Sequence, residues 1–291
     1  MISIFRSWWA QPTLLASLAF VLLSHVTTAL ANDAAATRAK RVLLLGQGPD
    51  GHPPATHEYL PGLRMLAKCL GRLPNLQTVV VSADGAWTDG PELLDGADAA
   101  VVFLAEGARW VSQDQRRLAA FRKLADRGGG LAVIHWGMGT KDAKPIDNFV
   151  QLFGACHGGP DRKYQVVKLV PQIPNPGHAV MTGVTFPTEM PFQEEYYYKL
   201  KMPPDVKQHV PLVTATIDGE AHTVGWAWER PDGGRSFGFS GCHFHKNWDL
   251  EAYRRLVTQG IVWSVRLPIP NGRLNVDVTP EDLSLEKKAK E

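Results

Sequence analysis

Ser112-Gln-Asp-Gln-Arg-Arg-Leu-Ala-Ala-Phe-Arg-Lys-Leu-Ala-Asp-Arg-Gly-Gly-Gly-Leu-Ala-Val-Ile-His-Trp-Gly137 holds the pattern that decides the fold. Leu118, Phe121 and Leu124 recur at helical spacing and lay an apolar stripe along one face. Ser112 is the expected helix cap, and Gly128-Gly-Gly130 the stop. Leu131-Ala-Val-Ile134 is a short, continuous apolar run, as in a strand buried on both faces. A helix feeding such a strand through a few glycines is one repeat of an α/β sheet. His135, Trp136 and Gly137 then stand at the sharp turn after it.

Working outward, the same repeat returns. Val42-Leu-Leu-Leu45 is a second buried strand, followed by the loop Gly46-Gln-Gly-Pro-Asp-Gly51 and a helix carrying Tyr59, Leu63, Leu66 and Leu70. Gln77–Ser82 and Ala99–Leu104 read as further strands, with a short helix around Pro91–Leu94 between them. This alternation predicts a doubly wound, mostly parallel α/β sheet. After a helix at Ile146–Phe153 the texture changes. Tyr164–Val170, Val210–Ile217, Thr223–Trp228 and Phe237–His243 read as strands between proline- and glycine-rich loops, an antiparallel extension of the same sheet. Leu250–Val265 is the last helix.

Composition bounds the rest. The chain has 291 residues, of which 44% are hydrophobic and 21% charged, enough for a sizeable core. Arg6, the apolar run Leu14–Leu23 and Ala29-Leu-Ala31 predict a signal peptide over residues 1–31, too short in its apolar part for a membrane span. Residues 32–40 then form a leader, 41–267 the α/β domain and 268–291 a trailing C-terminal arm. Residues 1–31 hold one arginine and no acid, so 30 basic face 29 acidic residues in the remainder. That balance leaves no footprint for nucleic acid. Three cysteines, Cys69, Cys156 and Cys242, are too few for a disulfide framework. Cys69 shares a helical face with Leu63, Leu66 and Leu70 and is expected in the core.

Chemistry concentrates in Ser236-Phe-Gly-Phe-Ser-Gly-Cys-His-Phe-His-Lys-Asn-Trp248. If the strand persists to its end, His243 and His245 share one face. With His135 they are the metal-ligand candidates, zinc being the divalent ion such donors suit. Glu194-Glu195 precede Tyr196-Tyr-Tyr198; in an extended strand only one of the two carboxylates can face the crevice. Gly46, Gly48 and Gly51 match a dinucleotide-binding pattern in letters, but Pro49, Pro53 and Pro54 delay the helix that must meet the phosphates, and Asp84 comes late. The loop is therefore read as part of a site without nucleotide. Trp226 and Trp228 read as core, and His157, His178 and His209 as surface residues.

With these pieces placed, the chain resembles the ThuA-like (trehalose-utilisation) family of the class I glutamine amidotransferase-like, or flavodoxin-like, folds, from about Lys40 to Leu267. The resemblance rests on Thr56-His-Glu-Tyr59, Gly129–His135, Gln193–Tyr198 and Phe237–Trp248, the last being the most specific together with Gly260-Ile-Val-Trp263. It is similar to the exported branch of that family. The resemblance implies sugar chemistry in pathways passing through 3-keto-glycosides. It also implies no glutaminase, since the turn that carries a nucleophilic cysteine in glutamine amidotransferases here carries His135 and Trp136. The expected catalytic residues are His135, Glu195 and His243. His57, Glu194, Tyr197, His245, Asn247 and Trp248 are expected to bind a small-molecule carbohydrate. The competing reading is a non-catalytic sugar-binding module using the same residues and Trp226.

Overall fold

The computed structural model describes residues 38–204, 208–270 and 274–285, so the expected signal peptide lies outside the described residues. In chain order the elements are β1 (Lys40–Gly46), α1 (Tyr59–Leu70), β2 (Leu76–Ser82), α2 (Gly90–Asp95), β3 (Ala99–Val102), α3 (Gly107–Gln113), α4 (Gln115–Asp126) and β4 (Gly130–Ile134). There follow β5 (Gly139–Thr140), α5 (Ile146–Phe153), β6 (His157–Gly158), β7 (Lys163–Leu169), β8 (Phe192–Tyr198), β9 (His209–Ile217), β10 (Glu220–Glu229), β11 (Arg235–Phe239) and α6 (Glu251–Ser264).

The main sheet has seven strands in the order β2-β1-β3-β4-β11-β10-β9. The first five in that order run parallel, and only β10 and β9 add antiparallel pairs. The fold is thus α/β, doubly wound and mostly parallel, as the apolar runs imply. Two details differ from the sequence reading. β11 runs parallel to β4 and ends at Phe239, so it belongs to the parallel block and stops short of His243. β7 leaves the main sheet and pairs with β8 as a separate two-stranded sheet, because the run from Phe192 to Tyr198 is extended and offers it a partner.

Val42–Leu45, Val101, Val102 and Leu131–Ile134 are almost fully buried. Burying each large aliphatic side chain contributes about 1.5–3 kcal/mol. Helix α4 is capped by Asp114 and not Ser112. The Asp114 carboxylate accepts the N–H groups of Arg116 (2.8 Å) and Arg117 (3.0 Å), and Ser112 falls inside the short helix α3. No described helix is long and apolar enough to cross a membrane.

The segment expected as a trailing arm packs against the domain. Leu274 and Val276 are buried. Arg254 of α6 donates to the Val276 carbonyl (2.8 Å) and Arg72, after α1, to the Asn275 side chain (2.8 Å). This cover explains why α6 is buried all round despite its two arginines, which reach out to arm carbonyls.

Candidate functional site

The carboxyl ends of β1, β3, β4 and β11, consecutive parallel strands, share one edge of the sheet, where open α/β sheets place their crevice. Three histidines meet above them. His135 follows β4 directly, with φ of +46°. His57, at +52°, and Cys242, at +77°, take the same left-handed backbone. For non-glycine residues that region costs roughly 1–2 kcal/mol. Three such residues around one crevice mark a site whose surroundings over-determine it. Gly137 makes the turn possible, since a Cβ there would lie 2.3 Å from the Val102 carbonyl oxygen of β3.

Hydrogen bonding sets which ring nitrogens face inward. His135 Nδ1 lies 2.7 Å from the Ser240 carbonyl. A carbonyl only accepts, so Nδ1 carries the proton and Nε2 presents a lone pair. His57 Nδ1 lies 2.9 Å from Asp50 Oδ2, leaving its Nε2 bare likewise. The two bare nitrogens face each other at 3.1 Å, and His243 Nδ1 comes within 3.2 Å of His135 Nε2. Glu195 Oε1 stands 3.6 Å from His243 Nδ1 and 3.8 Å from His135 Nε2. One ligand atom from each of these four residues lies within 4.8 Å of all the others.

Electrostatics keeps the three imidazoles neutral. Burial, then the neighbouring imidazoles, holds His135 well below the ordinary histidine range and His243 down to about 3. His57 is lowered by burial, against the opposing pull of Asp50. Burial and the adjacent Glu194 charge push the Glu195 carboxyl up to about 7. Burial would raise Asp50 as well, but donors from His57, Tyr59 and the His52 backbone outweigh it and hold Asp50 ionised. Tyr59 donates to that carboxylate at 2.6 Å. Asp50 therefore fixes the His57 tautomer from behind, as carboxylates do for histidines that ligate metals.

The remaining expected residues divide. Tyr197 joins the cluster: its hydroxyl is 3.1 Å from His135 Nε2 and its ring stacks on His135 at 4.5 Å. Glu194 points the opposite way and receives the backbone N–H groups of Cys242 (2.9 Å) and His243 (3.1 Å) and the Asn247 amide (3.0 Å). Glu194 and Asn247 thus build the loop that presents His243. His245 lies apart. The strand has ended by Phe239, a 3-10 turn starts at His245, and its Nε2 meets the Leu283 carbonyl at 3.0 Å. Strand alternation therefore does not carry it to the side of His243, and it is no part of the ligand cluster. Trp248 is buried edge-on to Phe103 and beside Gly62, as core. Trp226 is core too, its Nε1 donating to Phe153 at 2.9 Å.

Two site residues escaped the sequence reading. Asp50 sat unweighed in a glycine-rich loop; its spacing of two to His52 and seven to His57 was the available signal. His157, read as a surface residue, is buried and stacks on Tyr197 with ring centres 3.9 Å apart. The stack runs His157, Tyr197, His135. Beside it opens a cavity of about 200 Å³ whose lining includes His52, Trp136, Arg162, Tyr164, Glu195 and Tyr197.

A doubly wound, mostly parallel α/β sheet with three histidines and a carboxylate gathered over its carboxyl edge defines the class. The chain belongs to the ThuA family, described as trehalose utilisation, whose model matches residues 41–264, and a carbohydrate-related role comes with it. Among solved structures it is similar to a ThuA-like protein from Bacteroides uniformis, with 12% identity and a TM-score of 0.57, covering 78% of this chain and 92% of that one. A glutaminase domain of Trypanosoma brucei CTPS with bound acivicin matches at 10% identity and a TM-score of 0.42, covering 81% and 100%. No curated protein matches.

Proposed function

We propose that this protein is an exported enzyme of carbohydrate metabolism that holds a divalent, zinc-class ion on His57, His135 and His243. The facing lone pairs of His57 and His135 carry this reading. Two unprotonated imidazole nitrogens 3.1 Å apart repel, a repulsion that the Tyr197 hydroxyl beside His135 Nε2 eases in part and a cation between the rings would remove. A proton there is disfavoured, because burial drives both rings toward the neutral form. Nitrogens that share a tetrahedral zinc at about 2.0–2.1 Å sit roughly 3.3 Å apart, close to the 3.1 and 3.2 Å found here.

Held by these three histidines, such an ion would supply Lewis-acid polarisation of a substrate carbonyl. The protein's own groups supply the proton chemistry. Glu195, with its carboxyl near 7, suits a general base at neutral pH, and Tyr197 can donate a hydrogen bond from its phenol. On a 3-keto-glycoside, the substrate class the family resemblance suggests, the hydrogen beside the carbonyl is acidified. Its removal by Glu195 starts elimination or isomerisation. Glutaminase chemistry does not fit: Cys69, Cys156 and Cys242 are all buried, with thiol pKa values pushed up by that burial. The non-catalytic alternative predicts sugar binding without turnover.

The test is metal analysis of protein purified without chelator, combined with turnover of a 3-keto-glycoside. Wild type should hold about one ion per chain and His243→Ala should lose it together with turnover. Turnover that survives in metal-free wild type would sink the metal reading, and binding with no turnover in metal-loaded wild type would favour the module.

A further inference from the structure

The hairpin β7–β8 links the site to a second cavity. Direct partners across an antiparallel pair project to the same face. Tyr164 pairs with Tyr197, Val166 with Glu195 and Lys168 with Gln193, so one face carries Tyr197, Glu195 and then Gln193 in line. Its exposed members include Tyr164, 59% accessible, and Val166, 44%. Past Glu195 lies a cavity of about 560 Å³ lined by Val166, Lys168, Phe192, Gln193, Lys246 and Asn247. The pocket at the histidines is smaller, about 200 Å³, less than the roughly 300–1,000 Å³ of sites for drug-sized ligands. It takes little more than one ring, and the hairpin face leads from that ring to more room.

The charge of the two linings is one-sided. Arg162 and Lys141 line the small pocket, and Lys168 and Lys246 the large one. Lys141 is partly balanced by Glu106 at 3.4 Å. Arg162 is fixed by its Nη1 donating to the Gly159 carbonyl at 3.1 Å, and Lys246 lies over the Phe244 ring at 5.2 Å. Glu195 is the one carboxylate among the residues lining either cavity. This is a local excess, since the whole chain has 31 basic and 29 acidic residues. Trp136 and Tyr164 supply ring faces at the inner pocket, as sugar sites do.

We infer that the ligand is an acidic oligosaccharide of at least two rings, one ring in the pocket beside Glu195 and Tyr197, and a carboxylate-bearing neighbour over β7 near Lys168 and Lys246. The inference rests on the carbohydrate reading of the same site and names its substrate class. Arg162 then addresses the acidic group of the inner ring, and the two lysines that of the outer one. Long-range attraction of this kind weakens with salt.

Calorimetric titration of the full-length, metal-loaded protein with tetragalacturonate, galacturonate and neutral maltotetraose tests it. Tetragalacturonate should bind more tightly than maltotetraose, and the difference should shrink between low and high salt. Lys168→Ala with Lys246→Ala should weaken tetragalacturonate about fivefold, as for exposed charge contacts, and leave galacturonate unchanged. Arg162→Ala should weaken both acidic ligands. Equal affinity for maltotetraose, or a double variant that binds tetragalacturonate like wild type, would overturn the inference. Because these are binding measurements, they can succeed when turnover fails. Conversely, a turnover that is indifferent to substrate charge leaves the catalytic reading intact and removes this one.

Discussion

Glu194 and Glu195 are neighbours on β8 and live in opposite worlds. On one side of the strand, Glu194 is fully buried among N–H donors: two backbone amides of the His243 loop, its own neighbour's amide and the Asn247 side chain. On the other side, Glu195 meets imidazole nitrogens at 3.6 and 3.8 Å. Burial raises both carboxyls. The donors around Glu194 oppose that rise and tie its oxygens down, whereas Glu195 keeps its lone pairs for something else. A carboxylate saturated by donors builds structure, and one facing other lone pairs is free for a proton, an ion or a substrate. The pair also shows why removing similar residues should break different properties.

The largest contrast is between Glu194→Ala and Glu195→Gln. Removing Glu194 orphans several buried donors, and the loop that presents His243 should lose about 3–5 kcal/mol in chemical denaturation. Glu195→Gln should unfold within about 1 kcal/mol of wild type, yet lose turnover by about 10²–10⁴-fold if Glu195 is the base. Equal loss of stability in both variants would erase the distinction between the two faces.

A smaller effect sharpens the Glu195 side. Asp50 orients His57 and touches no ion in the arrangement proposed. Asp50→Asn should therefore weaken metal affinity by about 10–100-fold, measured by chelator competition, with the fold intact. Unchanged affinity would mean that the His57 tautomer is set by something other than Asp50.

The smallest effect is in pH. In metal-free protein the raised Glu195 carboxyl adds stability that is fully present below its ordinary 4.5 and is lost as pH rises through about 7. His157 and His243, lowered by burial to about 3, act in the opposite sense: their contribution is fully present above 6.5 and is lost as pH falls toward 3. Allowing for partial solvent screening, wild type should lose about 1 kcal/mol relative to Glu195→Gln between pH 5 and 7 in thermal melts. Parallel pH profiles would place the raised carboxyl elsewhere.

Much of this was legible along the chain. Val42–Leu45 and Leu131–Ile134 announce buried parallel strands because no polar residue interrupts them, and parallel strands must be covered on both faces. His135 is placed at the crevice by the same logic, since it follows such a strand immediately. The two adjacent glutamates were equally legible as a pair that has to split. Strand alternation demands that, but it does not name the partner on either side.

By itself, then, the sequence determined the α/β class, the family, and the place of His135 directly after a buried strand. Tertiary structure decided which of the histidines and carboxylates meet. His245 turns to the C-terminal segment because β11 stops at Phe239, His157 stacks under Tyr197, and Asp50 folds back on His57. The physical reason is one of range. Periodicity fixes which face of a regular element a residue occupies, but His57, His135 and Cys242 sit in left-handed turns where period no longer applies; His57 is set by Asp50, 7 residues away, whereas His135 and Cys242 are set by partners 105 and 48 residues away.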